Sequence, residues 1–113
     1  MGETMRLYKI FEVKPDGRIM NLFHGFNGSR EVKIGVEYKN EDKLIRDGGN
    51  NNYYKSGIHA HYSPEFSKKW LKRFDSTNRK IFEIEGFVRE NKATSDGKVA
   101  LCSGMIIIKE YKG

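Results

Sequence analysis

The sequence predicts an α+β domain: a curved, mainly antiparallel sheet or small open barrel of about six strands, with one main helix at about residues 64–74. Three observations lead there. Runs such as 6–13 (RLYKIFEV) and 81–89 (IFEIEGFVR) are rich in β-branched and aromatic residues and alternate apolar with polar positions. Two turn signals, Lys14-Pro15-Asp16-Gly17 and Ser95-Asp96-Gly97, separate runs of this kind and favour antiparallel pairing. Phe66, Trp70 and Phe74 recur at i, i+4 and i+8 behind Ser63-Pro64-Glu65, an apolar helical stripe with a start signal.

Taken in order, residues 6–13 and 18–24 flank the first turn and read as a hairpin. Residues 25–29 (GFNGS) read as a loop, and 31–39 as a third strand with a bulge or bend at Gly35. Residues 41–47 are expected to form one helical turn or none. Residues 48–52 (GGNNN) read as a polar surface loop, a flap beside whatever site lies next to it. Residues 57–62 (GIHAHY) are expected to be extended. Ser63 then suits an N-cap, Pro64 the first helical position, and Glu65 the positive end of the helix dipole. On the strand 81–89, Glu83 and Glu85 share a face with Ile81, and Gly86 marks a bulge or a close approach. Residues 99–103 and 105–111 complete the sheet, separated or bent at Gly104.

The 113 residues suit a single domain with its own core. No apolar run approaches the roughly 20 residues of a membrane span, and no charged start followed by an apolar stretch suggests a secretory leader. Cys102 is the only cysteine and lies in an apolar run, so it reads as a small core residue. The lack of a disulfide framework leads to the expectation of a cytoplasmic protein. Net charge is +6, from 21 basic and 15 acidic side chains, which favours encounters with polyanions.

Residues 53–74 hold most of the chemistry. His59 and His61 stand two apart on an extended segment, so both point the same way. Such a pair could contact a phosphate or base, or move protons near neutral pH. A metal would need further ligands, and neither a metal nor a cofactor is expected. Lys68, Lys69, Lys72 and Arg73 form the densest basic cluster, and a positive helix face contacts phosphates. The helix N-terminus near His61 offers a second anion site. With Tyr62, these residues make up the expected ligand-binding set. Tyr53, Tyr54, Asn50 and Asn51 make up the expected protein interface, with the tyrosines also suited to stacking bases. No phosphate loop, nucleophile elbow, HExxH or CxxC motif is present, and no catalytic residue is assigned.

Four short motifs resemble a group of small, uncharacterised phage and bacterial domains. They are Tyr8-Lys9-Ile10-Phe11, Gly35-Val36-Glu37-Tyr38, Gly57-Ile58-His59 leading into a helix, and the terminal strand region 98–109. The resemblance implies the fold and a phage context, with counter-defence by binding a host component.

The functional expectation is a non-enzymatic binding protein for an anionic partner: a nucleotide, a nucleic acid, or a nucleic-acid-bound host complex. The alternative is a protein–protein inhibitor of a host enzyme. A third reading is a small enzyme acting on a nucleotide or phosphoester through His59 and His61. No membrane partner is expected, a homo-oligomer is compatible with the size, and a phage-encoded protein would act in the host cytoplasm.

Overall fold

The computed structural model describes residues 4–22, 30–39, 44–46, 53–55, 58–72, 78–94 and 97–112. It is mostly antiparallel sheet with one helix. Strand β1 (Thr4–Val13) places Leu7, Lys9 and Phe11 on one face and Arg6, Tyr8 and Ile10 on the other. The first turn forms as expected. Gly17 adopts φ 91°, and Asp16 accepts hydrogen bonds from the backbone N–H and the Nε of Arg18. The returning strand β2 (Ile19–Met20) is much shorter than residues 18–24. Its partner β3 (Glu31–Val32) extends the sheet.

The expected single strand over 31–39 is two strands with different neighbours. β3 pairs with β2, whereas β4 (Glu37–Lys39) pairs with the last strand of the chain. Gly35, at φ 83°, stands at the break. Residues 44–46, expected to be helical or irregular, instead form strand β5 (Leu44–Arg46). It pairs with β6 (Tyr53–Lys55) in a separate two-stranded sheet. Strand β7 (Ile58–Ala60) precedes helix α1 (Pro64–Leu71). A long hairpin of β8 (Arg79–Thr94) and β9 (Gly97–Glu110) completes the chain. The described residues thus contain nine strands rather than about six, because the expected strand over 31–39 divides where the chain changes partners and β5 and β6 add a separate pair.

The main path of the sheet runs β3-β2-β1-β8-β9-β4, with β7 also on β9. This order forces curvature. Six flat strands would hold β3 and β4 about 24 Å apart, while the five peptide units from Val32 to Glu37 reach at most about 18 Å. The sheet therefore curls until its ends approach, and Ile34 bridges Ile107 there. It does not close into a barrel. Register shifts near Phe87 and Val88 bend the β8–β9 hairpin. Leu7, Phe11, Val32, Ile84, Cys102, Met105 and Ile107, each at most 1 % exposed, form the centre of the core. Burying each larger aliphatic or aromatic side chain there contributes about 1.5–3 kcal/mol.

Helix α1 starts as its sequence dictates. The Ser63 Oγ accepts the Phe66 N–H at 3.2 Å, with Pro64 at the first helical position. It ends at Leu71 with Lys72 as C-cap, short of the expected residue 74. Phe74, the third member of the aromatic stripe, lies outside the described residues. The fully buried residue of the helix is Ser67, while Phe66, Trp70 and Leu71 are half-buried.

A candidate anion-binding face

β7 and α1 position most of the chemistry-bearing side chains. β7 pairs with β9 through Ile58, His59 and Ala60, opposite Cys102, Leu101 and Ala100. At His61 the chain moves to the free edge of β1, where His61 and Tyr8 exchange two backbone hydrogen bonds of 2.7 and 2.9 Å. This transfer leaves His59 exposed and His61 half-buried. The Nδ1 of His61 lies 2.6 Å from the buried Ser67 Oγ, and its ring packs on Phe66 with centroids 4.7 Å apart.

Lys9 completes this inner cluster. It sits on the core face of β1, its Nζ donating to the His59 carbonyl at 2.8 Å and lying 5.7 Å from the Phe11 ring. Burial pushes the Lys9 ammonium down to about 8, and Cys102 offsets a little of that. Burial, then the neighbouring Lys9 and His59, pushes His61 down to about 4. Burial raises the Cys102 thiol to about 11. At neutral pH the cluster therefore holds a neutral imidazole, an uncharged thiol and an ammonium. Its geometry is that of a structural joint between β1, β7 and α1. Sequence reasoning did not single out Lys9. The alternation Leu7, Lys9, Phe11 carried the signal, because it puts a cation among core positions.

The basic residues lie elsewhere on the helix. Lys68, Lys69 and Lys72 are exposed, whereas His61 engages the buried side of α1 through Ser67. The expected ligand-binding set is thus divided between an inner histidine and an outer lysine row. Tyr62 is 39 % exposed and its hydroxyl donates to the Asn91 Oδ1, tying the segment before the helix to the hairpin. Ser63 already takes the Phe66 N–H, so that donor of the expected helix N-terminal anion site is committed. Arg73, Asn50 and Asn51 lie outside the described residues. Tyr53 and Tyr54 are placed only as backbone in β6.

The lysine row continues into a region that sequence reasoning did not join to it. The Lys68 Nζ lies 5.5 Å from the ring centroid of Tyr111, a cation over an aromatic ring. Tyr111 in turn meets Tyr8 edge-on at 5.5 Å. Beside Tyr111 is a shallow depression of about 490 Å³ lined by Glu83, Lys109, Glu110, Tyr111 and Lys112. Glu83 and Glu85, an alternating carboxylate pair in the sequence, are cross-strand partners of Arg6 at 2.8 and 3.4 Å. Glu83 also lies 3.7 Å from Lys109. These carboxylates thus serve the outer face of the sheet as ion-pair partners.

No family model, curated protein or solved structure matches this chain. Among the described residues, no helix is long and apolar enough to cross a membrane, and no group of three or more His, Cys, Asp or Glu side chains is placed to hold a metal.

Proposed function

We propose that the protein is a non-enzymatic binder of an anionic partner of the nucleic-acid class, and that α1 carries the contact. The observation behind this reading is the continuity of Lys68, Lys69 and Lys72 with the Tyr111 depression through the Lys68–Tyr111 contact. Exposed cations beside aromatic rings suit a phosphate backbone with adjacent bases. For a chain that resembles phage domains, the partner would be a host nucleic acid or a nucleic-acid-bound host complex, consistent with a counter-defence role. The enzyme reading has less support, since burial pushes the His61 pKa down to about 4, which makes it a weak base and leaves little imidazolium to act as an acid, and its Nδ1 lies against the buried Ser67 hydroxyl.

The test is fluorescence anisotropy of a labelled single-stranded oligonucleotide with the wild type and with Lys69→Glu plus Lys72→Glu, folding being checked by circular dichroism. The double reversal is expected to weaken binding at least about tenfold at low salt. Unchanged affinity would make the lysine row ordinary surface.

A further inference from the structure

We infer that the free edge of β8 beyond Phe87 pairs with the same edge of a second copy of this chain, giving a two-fold dimer with a continuous sheet. Pairing of β1 with β8 runs from Glu12↔Arg79 to Thr4↔Phe87, whereas β9 holds the opposite side of β8 as far as Thr94. Glu90, Asn91 and Ala93 are exposed on the stretch that β1 does not cover. The direction of their backbone groups follows from the neighbouring strands. The His59 carbonyl points away from β9, since it accepts from Lys9, and the His61 backbone turns to Tyr8. Ile58 and Ala60 therefore turn their backbone groups to β9, where they meet Cys102 and Ala100. The alternate residues Val99 and Leu101 turn theirs to β8, opposite Lys92 and Glu90. That leaves the N–H and C=O of Asn91 and Ala93 directed out from the edge. Among the described residues neither has a backbone partner there.

An unpaired strand edge is a template for another strand, and the charges on this one select its own copy. In an antiparallel pair about a two-fold at Asn91, the two Asn91 residues exchange both backbone hydrogen bonds. Glu90 then faces the partner's Lys92, and Lys92 faces the partner's Glu90. These are the closely spaced, non-hydrogen-bonded positions, where opposite charges attract and like charges directly opposite repel. Moving the two-fold one residue either way sets Lys92 against Lys92 or Glu90 against Glu90. Charge thus fixes the occupant and the register together. Glu90 also meets the adjacent Arg89 at 3.0 Å, but its side chain is 51 % exposed and within reach of a second cation. At the pivot, the Tyr62 hydroxyl donates to the Asn91 Oδ1 and ties the edge to the segment before α1.

The experiment is sedimentation equilibrium of the full chain from low-micromolar to sub-millimolar concentration. The wild type is expected to associate to a dimer. Glu90→Lys alone and Lys92→Glu alone each set like charges opposite one another on both sides of the two-fold, and each is expected to weaken dimerisation at least about tenfold. An equimolar mixture of these two variants restores opposite charges at every pair, as does the double variant Glu90→Lys plus Lys92→Glu. Both are expected to recover association close to that of the wild type, and recovery in the mixture also shows that the single variants fold. A chain that stays monomeric throughout the range overturns the inference. So does a dimer that neither single reversal weakens, or one that neither the mixture nor the double variant restores.

Discussion

His61 shows how one side chain can record its surroundings. Burial, Lys9 and His59 all oppose its protonation, and the buried Ser67 hydroxyl engages its Nδ1. Its pKa falls from the ordinary 6.5 to about 4 on folding. Between those values the unfolded chain binds the proton more readily, so the contribution is complete above about pH 6.5 and is lost as pH falls toward 4. Urea unfolding at pH 7, 5.5 and 4.5 should show stability dropping across that interval, with a shallower drop for His61→Gln. An identical pH dependence in the variant would assign the loss to other groups. Ser67→Ala should destabilise by about 1–3 kcal/mol at pH 7, because it strips a partner from a half-buried nitrogen. A change below about 0.5 kcal/mol would place that nitrogen in contact with solvent instead. The histidine spacing was legible in the sequence, but the burial of one histidine and exposure of the other was not. Alternation alone put His59 and His61 on a common face. The transfer of the chain from β9 to β1 at His61 separates their environments.

At the scale of elements, the long hairpin and the helix make different demands. β8 and β9 follow a curl that two straight strands could not make, and the register shifts that bend the pair, at Glu83/Ile84 and from Phe87 to Glu90, flank Gly86. A Cβ there would lie 2.6 Å from the Leu7 Cδ1 and 2.9 Å from the Cys102 Sγ, both in the packed core. Gly86→Ala should therefore cost about 1–3 kcal/mol, measured by thermal or urea unfolding. A neutral result would mean that Leu7 and Cys102 can yield. Gly86 was readable as a bulge or close approach because a glycine interrupts an otherwise β-rich run. Helix α1 was readable from its cap and stripe, yet its deepest residue is a serine. Helical spacing marks the side that packs against the sheet, but the histidine waiting there decides that a hydroxyl fits deepest.

For the whole molecule, charge and topology act together. The +6 net charge favours polyanions in general. Only the fold brings the Lys68 ammonium of α1 over the Tyr111 ring, beside the depression that Lys109 and Lys112 line. If Lys68, Lys69, Lys72 and Lys112 each neutralise one phosphate of a single strand, log Kd should change with log salt with a slope of magnitude about 3. Anisotropy titrations from low to moderate salt read that slope directly, and a slope near zero would remove the phosphate contacts. The Tyr53–Tyr54 interface expectation has no comparable geometric support, since the side chains it needs fall outside the described residues.

Local rules settled the turn at Gly17, the capped start of α1, the existence of the terminal hairpin and the predominance of antiparallel strands. Each of these follows from neighbouring residues: a positive φ, a side-chain oxygen within reach of an N–H, or a two-residue alternation. Tertiary structure decided the rest. It broke the strand at Gly35 to join opposite ends of the sheet, placed Lys9 beneath His59, and set Lys68 over Tyr111. Those features depend on which distant strands exchange hydrogen bonds. Alternation tells a strand which face is apolar, but the curl of the whole sheet determines what that face meets.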